Sequence, residues 1–114
     1  MKTLNLAEQA DDIGIDRSTL LSLYYIFINQ TETDLRELRN FIADNNRTAI
    51  REKAHHIKGA SLNLEIDEIA ESARLMVLQC DEGDISPSCQ ELYLKLLTQF
   101  QNLKLQIAEE KDID

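Results

Sequence analysis

Apolar residues recur at intervals of three and four along most of this chain, which is the spacing of helices that bury one face. The longest series is Leu20, Tyr24, Phe27, Thr31, Leu35, Leu38 and Ile42, with one polar member. Cap and turn residues divide the pattern into five segments. The first segment predicts a helix from Leu6 that stops at Gly14, and the second predicts a long helix capped by Asp16 or Ser18 and running to about Asp44. The next two segments predict helices over about 47–63 and 66–81. The last segment predicts a helix with Ser86 as its cap and Pro87 as its first residue.

The later segments each carry one apolar face. The third has Ile50, Ala54, Ile57, Ser61 and Leu64; the fourth has Ile66, Ile69, Ala70, Ala73, Val77 and Cys80; the last has Leu92, Leu96, Phe100, Leu103 and Ile107. Four long amphipathic helices with short connections predict an all-α fold: an antiparallel up-down four-helix bundle with a short additional N-terminal helix. At 114 residues the chain is expected to form a single domain, with an acidic tail over about 109–114 that frays.

Composition narrows the classes of partner. The net charge of −9 disfavours binding to nucleic acid or to an anionic membrane. The N-terminus has no apolar signal segment and no apolar run is long enough to span a bilayer, so we expect a cytoplasmic protein. We also expect the protein to be a monomer. Cys80 and Cys89 are interpreted as reduced, packed thiols, since no local cysteine and histidine cluster predicts a metal site. No Walker motif or kinase glycine loop is present, which argues against an ATP site.

The two histidines, His55 and His56, lie side by side in the third predicted helix. The segment around them, residues 47–58, has four basic residues and one acidic residue and is the one basic stretch of an acidic chain. At about 100° per residue, His55 lies roughly 140° from Ile50 of the core face. It shares its face with Arg51, Lys58, Gly59 and Leu62. His56 points outward on the other shoulder, so the two histidines are not equivalent.

The arrangement around His55 favours phosphoryl transfer. An exposed imidazole is mostly neutral at pH 7 and can attack without a dedicated base. Lys58 at i+3 and Arg51 at i−4 can neutralise an anionic group on the ring. Gly59 costs the helix about 1 kcal/mol relative to alanine, which suggests clearance for a visiting protein. Leu62 is apolar off the core face and could contact that partner.

The segment Ala54-His55-x-Ile57-Lys58-Gly59-Ala60-Ser61, with Leu64 and Ile69-Ala70 after it, resembles the phosphohistidine motif of histidine-containing phosphotransfer (HPt) domains. The resemblance covers nearly the whole chain. It implies a phosphorelay intermediate, a phosphocarrier more than an enzyme, in which His55 accepts a phosphoryl group from a receiver-domain aspartate and passes it to another receiver. Lys58 would support the phosphate and Gly59 would give access. It also implies no cofactor on this chain, with Mg²⁺ on the partner receiver.

Two positions depart from that family. Glu65 stands where members often have glycine, and Val77 stands where many have a glutamine beside the histidine, with Gln79 nearby on another face. One alternative is therefore a non-catalytic helical adaptor that binds receivers or other signalling proteins. Another is a phosphotransfer domain excised from a sensor kinase, although Met1 and the charged tail favour a free-standing protein.

Overall fold

The protein is all-helical in the computed structural model, which describes residues 4–83 and 88–113, with side chains as far as Glu110. The helices are α1 (Leu6–Ile13), α2 (Arg17–Ala43), α3 (Arg47–Asn63), α4 (Asp67–Glu82) and α5 (Ser88–Ile113). These bounds confirm the predicted order and place the first four helices within a residue or two of the predicted limits. The start predicted at Ser86-Pro87 lies outside the described residues, and the fraying of the acidic tail stays a prediction.

Four long helices form the bundle that the sequence predicted. Each of α2, α3 and α4 packs against the next helix along the chain, and α5 also packs against α2. Contacts between distant residues show that α3 runs antiparallel to α4 and that α2 runs antiparallel to α5. Arg47 at the start of α3 bonds the carbonyl of Cys80 near the end of α4, and Arg17 at the start of α2 bonds Glu110 near the end of α5. The short α1 packs on α2, where Tyr24 Oη donates to Gln9 Oε1 at 2.8 Å.

The core lies along the predicted apolar faces. Its largest fully buried apolar side chains include Leu20, Tyr24, Leu38, Ile50, Ile57, Ile69, Met76, Leu96 and Ile107. The core face of α3 is wholly buried, as predicted, and Ser61 satisfies its hydroxyl by donating to the carbonyl of Ile57 at 2.6 Å. Burial of this face fixes the rotation of α3 about its axis, and therefore decides which side chains of α3 face solvent.

The turn that ends α3 contains Glu65, one of the two departures from the family pattern. Glu65 has φ +58°, a left-handed conformation that L-residues adopt at a cost and glycine adopts freely. The amide of Ile66 donates to Ser61 O at 2.9 Å and the amide of Glu65 to Leu62 O at 3.1 Å. These two bonds form a Schellman motif, in which glycine is the usual residue at the position of Glu65. The fold therefore keeps the glycine-type turn with a glutamate in it.

The described part of the chain shows no helix that combines the length and the apolar character needed to cross a bilayer.

Candidate functional site

His55 projects from the middle of α3 into solvent, one turn after Arg51 and two turns before Leu62 on the face predicted from the sequence. Within the described residues its ring makes no hydrogen bond to the protein. The helix positions it through the buried Ala54 and Ile57 on either side of the histidine pair. Because these two residues are locked in the core, the ring of His55 is held outward and its nitrogens stay available.

Lys58 and Gly59 lie on the same face, one turn after His55. Lys58 is half-buried, and no carboxylate of the described residues pairs with its ammonium group. Gly59 is exposed, and a Cβ built on it meets no atom within 4 Å. Packing within the described part of the chain therefore does not require a glycine at this position. Leu62, one further turn along, has 53% of its surface exposed.

Arg51, at the other end of this face, is paired with α4. Its Nε donates to Asp81 Oδ1 at 2.6 Å, and both side chains remain nearly half exposed. This guanidinium lowers the pKa of the Asp81 carboxyl, chiefly through the hydrogen bond. The pair ties α3 to α4 at the edge of the site, so the cation that remains unpaired on the His55 face is Lys58.

The helix beside His55 supplies no hydrogen bond to its ring. Val77, at the position where the family often has glutamine, is apolar and buried. Gln79 lies instead in the groove between α4 and α5, with Leu75 and Leu92. Neither Val77 nor Gln79 therefore provides the hydrogen bond to the imidazole that a glutamine on this helix often provides in the family.

His56 has the partner that His55 lacks. Its Nδ1 lies 3.0 Å from Oδ2 of Asp34, a carboxylate of α2 that is only 1% exposed. Sequence reasoning did not find Asp34. The position of Asp34 next to Leu35, at the edge of the α2 core face, was the available signal that it is buried. Its contact with His56 on another helix could not be inferred from residue spacing.

Comparison with known families places this site in context. The family model of the Hpt domain matches residues 22–109. Comparisons with curated proteins and with solved structures gave no match. The match covers most of the chain, including α3 with both histidines and all of α4. The chain belongs to the Hpt domain family, whose members are phosphocarrier modules of two-component phosphorelays that interact with receiver domains and have no ATP site of their own.

Proposed function

We propose that this protein is a phosphorelay intermediate in which His55 accepts a phosphoryl group from the aspartyl phosphate of one receiver domain and passes it to the aspartate of another. The observation that carries the proposal is the exposed imidazole of His55 on an Hpt bundle, with Lys58 on the same face; neither side chain has a hydrogen-bond or ion-pair partner among the described residues. The proposal rests on the family membership for the reaction and on the geometry of α3 for the residue.

The transfer is a simple displacement at phosphorus. A ring nitrogen of His55 contributes its lone pair to a new P–N bond, the P–O bond to the receiver aspartate breaks, and the carboxylate leaves with the electron pair. The ammonium group of Lys58 offsets the negative charge carried by the group on the ring. Return of the phosphoryl group to a second receiver reverses these steps. We propose that Mg²⁺ is held by the receiver, and this chain contributes the nucleophile and the cation.

The partner reaches His55 over Gly59 in this proposal. A receiver must bring its aspartate within bonding distance of an imidazole on a helix, so its backbone approaches the helix closely. Gly59 is open and exposed one turn away, and none of the described residues uses that space. Leu62 adds an exposed apolar contact, and the exposed Arg51–Asp81 pair lies at the opposite edge. The predicted monomeric state and cytoplasmic location stay predictions.

The test is incubation of the protein with phosphorylated receiver domains, followed by mapping of the modified residue. His55→Gln should abolish labelling, since glutamine keeps the size and polarity but has no nucleophilic nitrogen. His56→Gln is the matched control and should be labelled as well as the unaltered protein. Full labelling of the His55→Gln protein, with loss in His56→Gln, would overturn the assignment.

One observation favours a second candidate, a non-catalytic adaptor that binds receivers. The buried, apolar Val77 gives His55 no hydrogen bond from α4. Receiver binding that is unaffected by His55→Gln, together with no acid-labile phosphate from any receiver, would establish the adaptor in place of the carrier.

A further inference from the structure

The carboxylate of Asp34 connects α2 to the reverse face of the histidine helix. It is nearly inaccessible to solvent, and it bonds Nδ1 of His56 at 3.0 Å, Nζ of Lys53 at 3.3 Å and Nε2 of Gln30 at 3.1 Å. Lys53 also donates to the exposed Glu37 at 3.1 Å. A buried carboxylate is stable only when donors of this kind surround it. Two of the three donors come from α3, so Asp34 fixes both the position and the surroundings of His56.

Exposure alone does not choose between the two histidines. The side chain of His56 is 54% exposed, so a small phosphodonor can reach it as it reaches His55. The nitrogens differ, because Nδ1 of His56 is engaged by Asp34, whereas neither nitrogen of His55 is engaged within the described residues. Attack through Nδ1 of His56 would require this contact to break and would leave the buried carboxylate without one of its donors.

The local charges differ more strongly than the exposure. The carboxylate of Asp34 contacts the ring of His56, and the carboxylate of Glu37 joins this group through Lys53. Glu52 lies one turn before both histidines on α3. Within the described parts of the chain, the cation that pairs with these carboxylates is Lys53, whose ammonium group is shared by Asp34 and Glu37. Burial alone would lower the pKa of Lys53, but the hydrogen bond to Glu37 and the charge of Asp34 raise it above its ordinary value. This surrounding therefore carries an excess of negative charge.

Around His55 the charges balance, because Arg51 pairs with Asp81 and Lys58 offsets Glu52. A phosphoryl group brings one to two negative charges to the ring that accepts it. At separations of several ångströms in a partly buried site, such charges interact by more than the thermal energy. A phosphoryl group on His56 would be repelled by the excess of carboxylates, and one on His55 would meet no such excess and would have Lys58 on its own face.

We propose that Asp34 is a specificity-determining residue that keeps His56 from accepting phosphoryl groups and so leaves His55 as the single acceptor. This inference rests on the phosphotransfer function proposed above. Asp34 blocks attack through Nδ1 of His56 by engaging that nitrogen, and it opposes attack through Nε2 by placing a buried negative charge beside the ring. The same carboxylate could in principle have made His56 a stronger nucleophile by holding its proton on Nδ1, as in hydrolase triads. The charge excess opposes that effect here.

The experiment uses phosphoramidate, a small donor that needs no docking surface. In the transfer, a ring nitrogen forms the new P–N bond while the P–N bond of phosphoramidate breaks, and ammonia leaves with the electron pair and takes up a proton. Labelling rates are measured on the full chain with ¹⁵N-labelled histidine rings, whose nitrogen shifts identify the ring and the nitrogen modified. Because no receiver takes part, the result is independent of whether receivers label His55.

His55→Gln serves as the background, so that all remaining labelling is on His56. Adding Asp34→Asn, which keeps the shape and the ability to accept a hydrogen bond, should raise the rate on the order of tenfold. Adding Glu37→Gln, at a half-exposed position that tolerates change, should raise it by a smaller factor. The control is Glu71→Gln on α4, whose carboxylate binds Arg74 and which should leave the rate unchanged.

Circular dichroism on each variant verifies that the bundle is folded before the rates are compared. A rate that stays equal or falls on Asp34→Asn would overturn the proposal, because Asp34 would then be neutral or activating. If that variant fails to fold, Glu37→Gln decides: no increase there overturns the proposal. Preferential labelling of His56 in the unaltered protein would overturn it as well.

Discussion

Replacement of Gly59 by alanine should stabilise the fold while it slows phosphoryl transfer from a receiver. Glycine inside a helix is less favourable than alanine by about 0.8–1.0 kcal/mol. The full difference should be recovered, since a Cβ at this position meets no atom within 4 Å and α3 is helical on both sides of it. For a chain of this size, such an increase in the free energy of unfolding corresponds to a rise in melting temperature of about 3–5 °C.

The opposite effect on transfer follows from the proposed approach of the receiver over Gly59. The methyl group of alanine should displace the receiver by up to about 1 Å. A displacement of this size should lower the transfer rate by a factor of about 10 to 100. Melting followed by circular dichroism measures the first effect, and the initial rate of labelling by a phosphorylated receiver measures the second. Labelling by phosphoramidate should stay unchanged, because that donor does not dock.

Thr48→Ala is the matched control, because Thr48 is an exposed residue of the first turn of α3, two turns from His55. It should stabilise the helix by a few tenths of a kcal/mol and leave transfer unchanged. Two results would refute the reasoning. A lower melting temperature for Gly59→Ala would show that the space beside Gly59 is not open. A higher melting temperature with unaltered transfer would show that the glycine does not serve a partner.

Three further predictions concern the bundle around the site. Glu65→Gly should raise the free energy of unfolding, measured in urea, by up to about 1 kcal/mol. The substitution removes the strain of a left-handed backbone at a residue with a side chain, about 1–2 kcal/mol, and this gain exceeds the added entropy of the unfolded chain. A loss of stability would contradict this reasoning. The pKa of Asp81 is lowered by Arg51, so its contribution is complete above the ordinary pKa of an aspartate and is lost as the pH falls through the lowered value. Asp81→Asn should therefore flatten the acid limb of stability measured against pH, and an unchanged limb would argue against the pair. Burial raises the pKa of the Cys89 thiol to about 11, and burial also raises the pKa of the neighbouring Cys80 thiol. A disulfide reagent at pH 8 should therefore react slowly with the folded protein and rapidly with the protein in urea. Equal rates would show that the thiols are accessible in the folded protein.

Most of the fold follows from periodicity. The core faces predicted for α2 and α3 are buried almost residue for residue, because the spacing of apolar residues fixes one face of a helix whatever it packs against. Caps were equally local: Asp16 accepts from the amide of Thr19 at 2.7 Å, as a capping residue should. The glutamate at position 65 was the harder case, since only the backbone of the turn shows that it occupies a site suited to glycine.

The orientation of His55 was likewise decided by the sequence. Angular position within one helix depends on residue number alone, so the grouping of His55 with Lys58 and Gly59 required no knowledge of the other helices. What the tertiary structure decided are the partners that come from elsewhere in the chain. Asp34 meets His56 and Arg51 meets Asp81 across 22 and 30 residues, and each pairing depends on how far one helix slides along the next. That register is set by the packing of whole helix faces, which no local spacing encodes. The sequence thus determined which histidine shares its face with Lys58 and Gly59, and only the packed bundle determined what holds the other histidine.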